Sequence, residues 1–182
     1  MTLEEYMKAV KALCVEIHEE DMDDWELKRL NEKIKLAANM GARDIARSVF
    51  SLPVAQEMNG PMEWIPPADC IALKYYEGGR AERFIATDGR EHLTLLDDAP
   101  YRITYLRSPK RLENGTDVFE FPEDVMNALI YYGAYHVASD DNDRRSFVYF
   151  KNLYDQECVN IIGNRKSRMT VVSGKRGGMR VL

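Results

Sequence analysis

The chain has 182 residues, 45% of them hydrophobic and 30% charged, with a formal net charge of −5. That is enough chain for one domain with a core, or for one domain carrying an inserted lobe, and the composition excludes a disordered polypeptide. No apolar run approaches the roughly 20 residues that cross a bilayer, so no membrane partner is expected.

The charge is unevenly spread. Glu157 is the last acidic residue, and Arg165, Lys166, Arg168, Lys175, Arg176 and Arg180 follow it. Residues 1–162 hold 19 basic and 30 acidic side chains. An acidic body with a basic, glycine-containing end suggests a solvated body and an arm that reaches for an acidic partner. The start, Met1-Thr2-Leu3-Glu4-Glu5, has no basic stretch leading into an apolar one, so no signal peptide is expected. Cys14, Cys70 and Cys158 are far apart and form no CxxC pair. They read as reduced thiols, not as a disulfide frame or zinc site.

In chain order, Thr2 and Glu5 have the spacing of a capping box. Leu3, Tyr6, Val10, Leu13 and Ile17 continue at helical spacing, predicting a helix over 2–20. Asp21–Asp24 supplies a turn and a cap. A second helix, 24–50, keeps Leu27, Leu30, Ile34, Ala37, Ala38, Gly41 and Ile45 on one face. Pro53 and Gly60-Pro61 then read as breaks.

The period changes in the middle of the chain. Cys70–Tyr76, Glu82–Thr87 and Glu91–Leu96 have strand character, Tyr101–Leu106 is a strand by alternation, and Asp117–Phe121 is a short fifth. Glu77-Gly78-Gly79-Arg80 can turn the first of these strands into the next, and Asp88-Gly89 is a hairpin signal. Residues 66–121 are therefore expected to form one small inserted antiparallel lobe. Pro122 with Glu123 and Asp124 starts a third helix, 122–138. A fourth, 143–161, carries Phe147, Phe150, Tyr154, Cys158 and Ile161, and fades at Gly163-Asn164. Residues 163–182 read as an extended arm. The expected fold class is α+β, mainly a bundle of about four helices with the inserted β lobe and that arm.

Candidate chemistry is sparse. His18 beside Asp21, Asp23 and Asp24 has ligand types that suit a divalent metal, but capping and solubility explain such runs better. His136 and Asp140 are spaced as an acid–base pair, yet no nucleophile motif accompanies them. Neither Gly78-Gly79 nor Gly177-Gly178 sits in a phosphate-loop pattern. The aromatics Tyr131, Tyr132, Tyr135, Phe147, Tyr149, Phe150 and Tyr154 read as core plus a protein contact, not as a base-stacking surface. No catalytic residue, metal or cofactor is expected, and the protein is read as a non-enzyme. The candidate partner-binding residues are Arg165, Lys166, Arg168, Val171, Val172, Lys175, Arg176, Met179, Arg180, Val181 and Leu182. Their alternation of basic and apolar side chains suits a protein groove or a sheet edge.

The order of these elements resembles that of tailed-bacteriophage head-to-tail adaptors, also called connector or head-completion proteins. Asp24–Glu32 is similar to the stretch that opens the second helix in such proteins. Trp64-Ile65-Pro66-Pro67-Ala68-Asp69 resembles the entry to their β insertion, and Tyr105–Pro109 resembles a strand end in it. Phe121–Val125 with Ala128–Ala134 resembles their Pro-started helix. The resemblance covers most of residues 1–162. It implies a virion protein made in the bacterial host cytoplasm and assembled as a ring, usually of twelve copies. Its partners would be the portal protein, which the C-terminal segment grips, and tail or nozzle proteins, with double-stranded DNA passing through the lumen. A small nucleic-acid-binding regulator that uses the same basic tail is the alternative reading.

Overall fold

The computed structural model describes residues 1–14, 22–140 and 144–174, with the side chains of residue 140 and of residues 165–174 outside the description. It divides into two compact units, one formed by residues 1–50 and 110 onward, the other by Ser51–Pro109.

In the first unit, helix α1 spans Leu3–Leu13 and α2 spans Asp24–Ser48. Both open on a complete capping box. Thr2 and Glu5 exchange bonds at α1, and Asp23 and Glu26 do so at α2. Each box satisfies two of the backbone N–H groups that a helix start leaves over. Helix α1 stops at Leu13, with Cys14 out of helical geometry as its cap. The expected continuation toward residue 20 falls on 15–21, outside the described residues. Helices α3, Glu123–Asp140, and α4, Arg144–Gly174, complete the unit.

The α3 helix lies at the centre. Tyr6 and Val10 of α1 pack against it, and Gly41 of α2 brings its backbone up to the Tyr132 ring. On α4, Phe147 meets Tyr135 and Tyr154 meets both Tyr132 and Tyr135, so the two helices run antiparallel. Leu3, Tyr6, Val10, Ile34, Ala38, Ile45, Val125, Leu129 and Ile161 are buried. They sit at the spacing that gives each helix one apolar face.

The second unit holds two three-stranded antiparallel sheets. The first has the order β1 (Leu52–Asn59), β6 (Pro100–Arg107), β3 (Cys70–Glu77). The second has the order β2 (Met62–Trp64), β5 (Glu91–Leu95), β4 (Ala81–Ile85). Trp64, Leu73, Leu93, Leu95, Tyr101, Ile103 and Tyr105 come from both sheets and form one core. The alternation of Tyr101, Ile103 and Tyr105 along β6 is what delivers them to one face. Trp64 closes the core from β2, and its indole N–H donates to the Gln56 side chain at 3.1 Å.

These features correct the expected fold class. The chain is a mixed α+β protein and is not dominated by a helical bundle, because six strands in two sheets make a unit with its own core. That unit begins at Ser51 instead of Pro66 and ends at Pro109. Pro53 does not break β1, because β1 is an edge strand bonded to β6 alone, and an edge strand tolerates a residue without an N–H. Asp117–Phe121 is not a strand. It contributes one isolated bridge, Val118 to Thr2.

The extended arm is also corrected as far as Gly174, since α4 runs on through Gly163 to that residue. A glycine inside a helix costs about 1 kcal/mol. No proline follows it, and Arg165, Lys166, Arg168 and Met169 are all good helix formers.

Candidate interaction site

Helix α4 runs past the start of its antiparallel partner α3. Ile161 is its last buried side chain among the described residues, at 4% exposure. The antiparallel pairing of Tyr132 with Tyr154 places the start of α3 opposite a point near residue 162. From there to Gly174 the helix advances about 18 Å at 1.5 Å per residue. The backbone of Arg165, Lys166, Arg168, Val171 and Val172 lies on this stretch of α4. Lys175, Arg176, Met179, Arg180, Val181 and Leu182 lie outside the described residues.

At the same end of the bundle, the starts of α1 and α3 frame a cavity of about 460 Å3, lined by Met1, Glu5, Phe121, Glu123, Met126 and Asn127. Phe121 and Met126 are buried and form an apolar floor, with Met1 half in and half out. Glu5 and Glu123 stand on the rim.

The rim is held by the loop before α3. The Leu3 and Glu4 backbone N–H groups donate to the carbonyls of Asp117 and Gly115, at 2.8 and 2.9 Å. Phe119 donates its N–H to the Met1 carbonyl at 3.2 Å. The loop is itself tied by Asp117, whose carboxylate accepts the N–H groups of Glu113 and Asn114 at 2.7 and 2.8 Å. Those backbone N–H groups, Asn114's first, hold the Asp117 carboxyl below the usual carboxylate range. The cavity is thus built on hydrogen-bonded backbone and presents carboxylates over an apolar floor.

The remaining polar clusters are structural. The Tyr132 hydroxyl donates to the Asp44 carboxylate at 3.1 Å, and burial pushes the phenols of Tyr132 and Tyr154 up. Burial also raises the Cys158 thiol, so it stays protonated and a poor nucleophile. His136 stacks on Tyr135 with ring centres 4.6 Å apart, within the same aromatic group.

Of the aromatics singled out from sequence, Tyr132 and Phe150 are core residues, and Tyr149 is 60% exposed on α4. His18 and Asp21 of the conjectured metal cluster lie outside the described residues. Among the described residues, no group of three or more His, Cys, Asp or Glu side chains could hold a metal ion.

In the sheet unit, His92 is enclosed between two carboxylates, Glu63 at 2.8 Å on Nδ1 and Asp88 at 3.3 Å on Nε2. The two oxygens approach opposite sides of the ring, so they brace the imidazole and do not converge on a ligand. A second cavity of about 510 Å3 lies over the end of the first sheet, where Glu57, Arg102 and Glu77 sit side by side on β1, β6 and β3.

Sequence reasoning did not find the cavity of the helical unit. Glu5 reads as a capping residue and Glu123 as a dipole-matching acid, and both are so. Nothing in their spacing says that two helix starts more than a hundred residues apart meet. Among the described residues, no helix is long and apolar enough to cross a membrane. Comparison of the sequence with known protein families and with curated proteins found no match, so the functional reading rests on the residues themselves.

Proposed function

We propose that this chain is a ring-forming head-to-tail adaptor of a tailed bacteriophage, a virion protein that joins the portal to the tail. The observation that supports it best is the division of charge along one long helix. All acidic residues lie at or before Glu157, and the six basic residues beyond it begin at Arg165, on the last turns of α4. A basic segment that follows the last acidic residue suits a second protein with an acidic surface, and a helical first part fits a groove between helices of that partner.

In this reading the C-terminal segment docks on the portal, about twelve copies close the ring, and tail or nozzle proteins attach to the opposite face. DNA passes through a lumen whose acidic walls repel its phosphates, so that it slides without sequence-specific contacts.

Deleting residues 165–182 tests the proposal. Ile161 is the last buried side chain of α4 among the described residues, so the shortened chain should lose the helical signal of residues 165–174 and keep a cooperative melt. Its attachment to purified portal rings in a pull-down should be lost. Undiminished attachment would remove the portal role from the segment.

The uncompensated positive charge also supports a second reading, a nucleic-acid-binding regulator. Phosphate binding through six basic residues should weaken by orders of magnitude from about 50 to 200 mM salt. A largely apolar protein contact should change far less.

A further inference from the structure

We infer that the acid-rimmed cavity at the starts of α1 and α3 is the docking site for residues 175–182 of a second copy of this chain. The contact needs no portal, and it would form in a protein of any function.

The chemistry of the two sides matches. The cavity offers an apolar floor, Met1, Phe121 and Met126, under a rim carrying Glu5 and Glu123. The segment Lys175-Arg176-Gly177-Gly178-Met179-Arg180-Val181-Leu182 has three cations, three apolar side chains and no acid. Its apolar and basic residues are interleaved. An aliphatic side chain can therefore enter the floor while an adjacent guanidinium stays at the rim and pairs with a carboxylate. On α1, Lys8 is held by Glu4 at 2.8 Å, and Glu5 spends one carboxylate oxygen, Oε2, on the Thr2 N–H of the capping box, which leaves its other oxygen and the exposed Glu123 for an incoming cation.

Placement favours a second copy over the same subunit. The last stretch of α4 carries the segment about 18 Å beyond the start of α3, which is the end where the cavity lies. To reach its own cavity the segment must reverse and retrace that distance. Two copies facing each other at this end present each segment to the other's cavity without a reversal. Eight residues span up to about 27 Å when extended, which is ample for the crossing. Each copy gives and receives the same contact, so the arrangement closes as a two-fold pair. A partner that captures the segment must displace it from the pair, which makes the pair a storage form that keeps the basic end covered before assembly.

Sedimentation velocity of the full chain at low salt, over a range of concentrations, tests this. The wild type should form a dimer that weakens as salt rises. Glu123→Lys at the rim and Arg180→Glu in the segment should each raise the dimer dissociation constant by about tenfold or more, as a lost charge pair at a contact does. The two together restore opposite charges and should regain most of the affinity. Leu182→Asp, outside the described residues, should weaken the dimer through the floor. Thermal melts of each variant matching wild type show that the fold is kept. A chain that stays monomeric at every concentration overturns the inference, as does an association indifferent to Glu123→Lys, or a double variant no tighter than the single ones.

Discussion

Gly133 sits where α1 crosses α3, and replacing it with alanine should be costly for a reason that can be isolated. A Cβ at this position would run into the Tyr6 hydroxyl and lie 2.8 Å from Val10 Cγ2 and 3.1 Å from Tyr6 Cζ. Tyr6 is fully buried and its hydroxyl donates to the Leu129 carbonyl at 3.1 Å, so the ring cannot swing away without losing that bond. The alanine gains about 1 kcal/mol of helix propensity. Against this stand about 1–3 kcal/mol for overpacking and a further 1–3 kcal/mol if the buried hydroxyl loses its acceptor. The net expectation for Gly133→Ala is a loss of about 2–4 kcal/mol, or roughly 5–15 °C in melting temperature for a chain of this size.

Urea unfolding followed by circular dichroism measures it, and a double-mutant cycle with Tyr6→Phe isolates the cause. Removing the hydroxyl removes the worst overlap, so the alanine should cost at least about 1 kcal/mol less in that background. Additive losses, or a Gly133→Ala variant as stable as wild type, would show that the crossing is not limited by this contact.

Two further outcomes follow from the same kind of reasoning. Asn39 on α2 pins the segment after the sheet unit by accepting the Leu112 N–H at 2.8 Å and donating to its carbonyl at 3.0 Å. Asn39→Ala should cost about 1–3 kcal/mol in urea melts, while Asn39→Asp, which keeps only the acceptor, should fall between. The hydrogen bond that His92 donates to Glu63, with a smaller one to Asp88, raises the imidazole above its ordinary pKa of 6.5. A group whose folded-state pKa is raised stabilises most when protonated in both states. The stabilisation should therefore be complete below about pH 6.5 and fade as pH rises through the raised value. Melts at a series of pH values should show this decline in wild type, and His92→Gln should flatten it.

Much of the local structure was legible in the residues. Both capping boxes announce their helices, because Thr2–Glu5 and Asp23–Glu26 are closed within four residues and need no tertiary partner. The four strands from Cys70 to Leu106 follow from strand character and, in β6, from alternation, and Asp88-Gly89 makes its turn with Gly89 at φ 76°. What failed was decided at longer range. Whether Pro53 ends a strand depends on whether β1 has one neighbour or two, which its own eight residues cannot state. Glu77–Arg80 reads as a hairpin turn, yet β3 and β4 belong to different sheets, because β6 takes β3 as its partner and β5 takes β4. Gly163-Asn164 reads as a helix end since no apolar pattern follows, but a helix needs only the absence of a breaker to continue. The cavity was invisible for the reason that makes it interesting, since its floor and rim both draw on two stretches more than a hundred residues apart.

The register of β1 and β6 bears on how this protein was put together. Leu52 lies directly opposite Arg107, so the chain enters and leaves the sheet unit at neighbouring points, about 5 Å apart in an antiparallel pair. An element whose two ends meet in this way can be added to a host loop, or removed from it, without stretching the host. A linker of a few residues joining Phe50 to Lys110 would close the gap that excision leaves. The two-sheet unit is therefore a cassette, free to diversify at its tips while the helices keep their own packing.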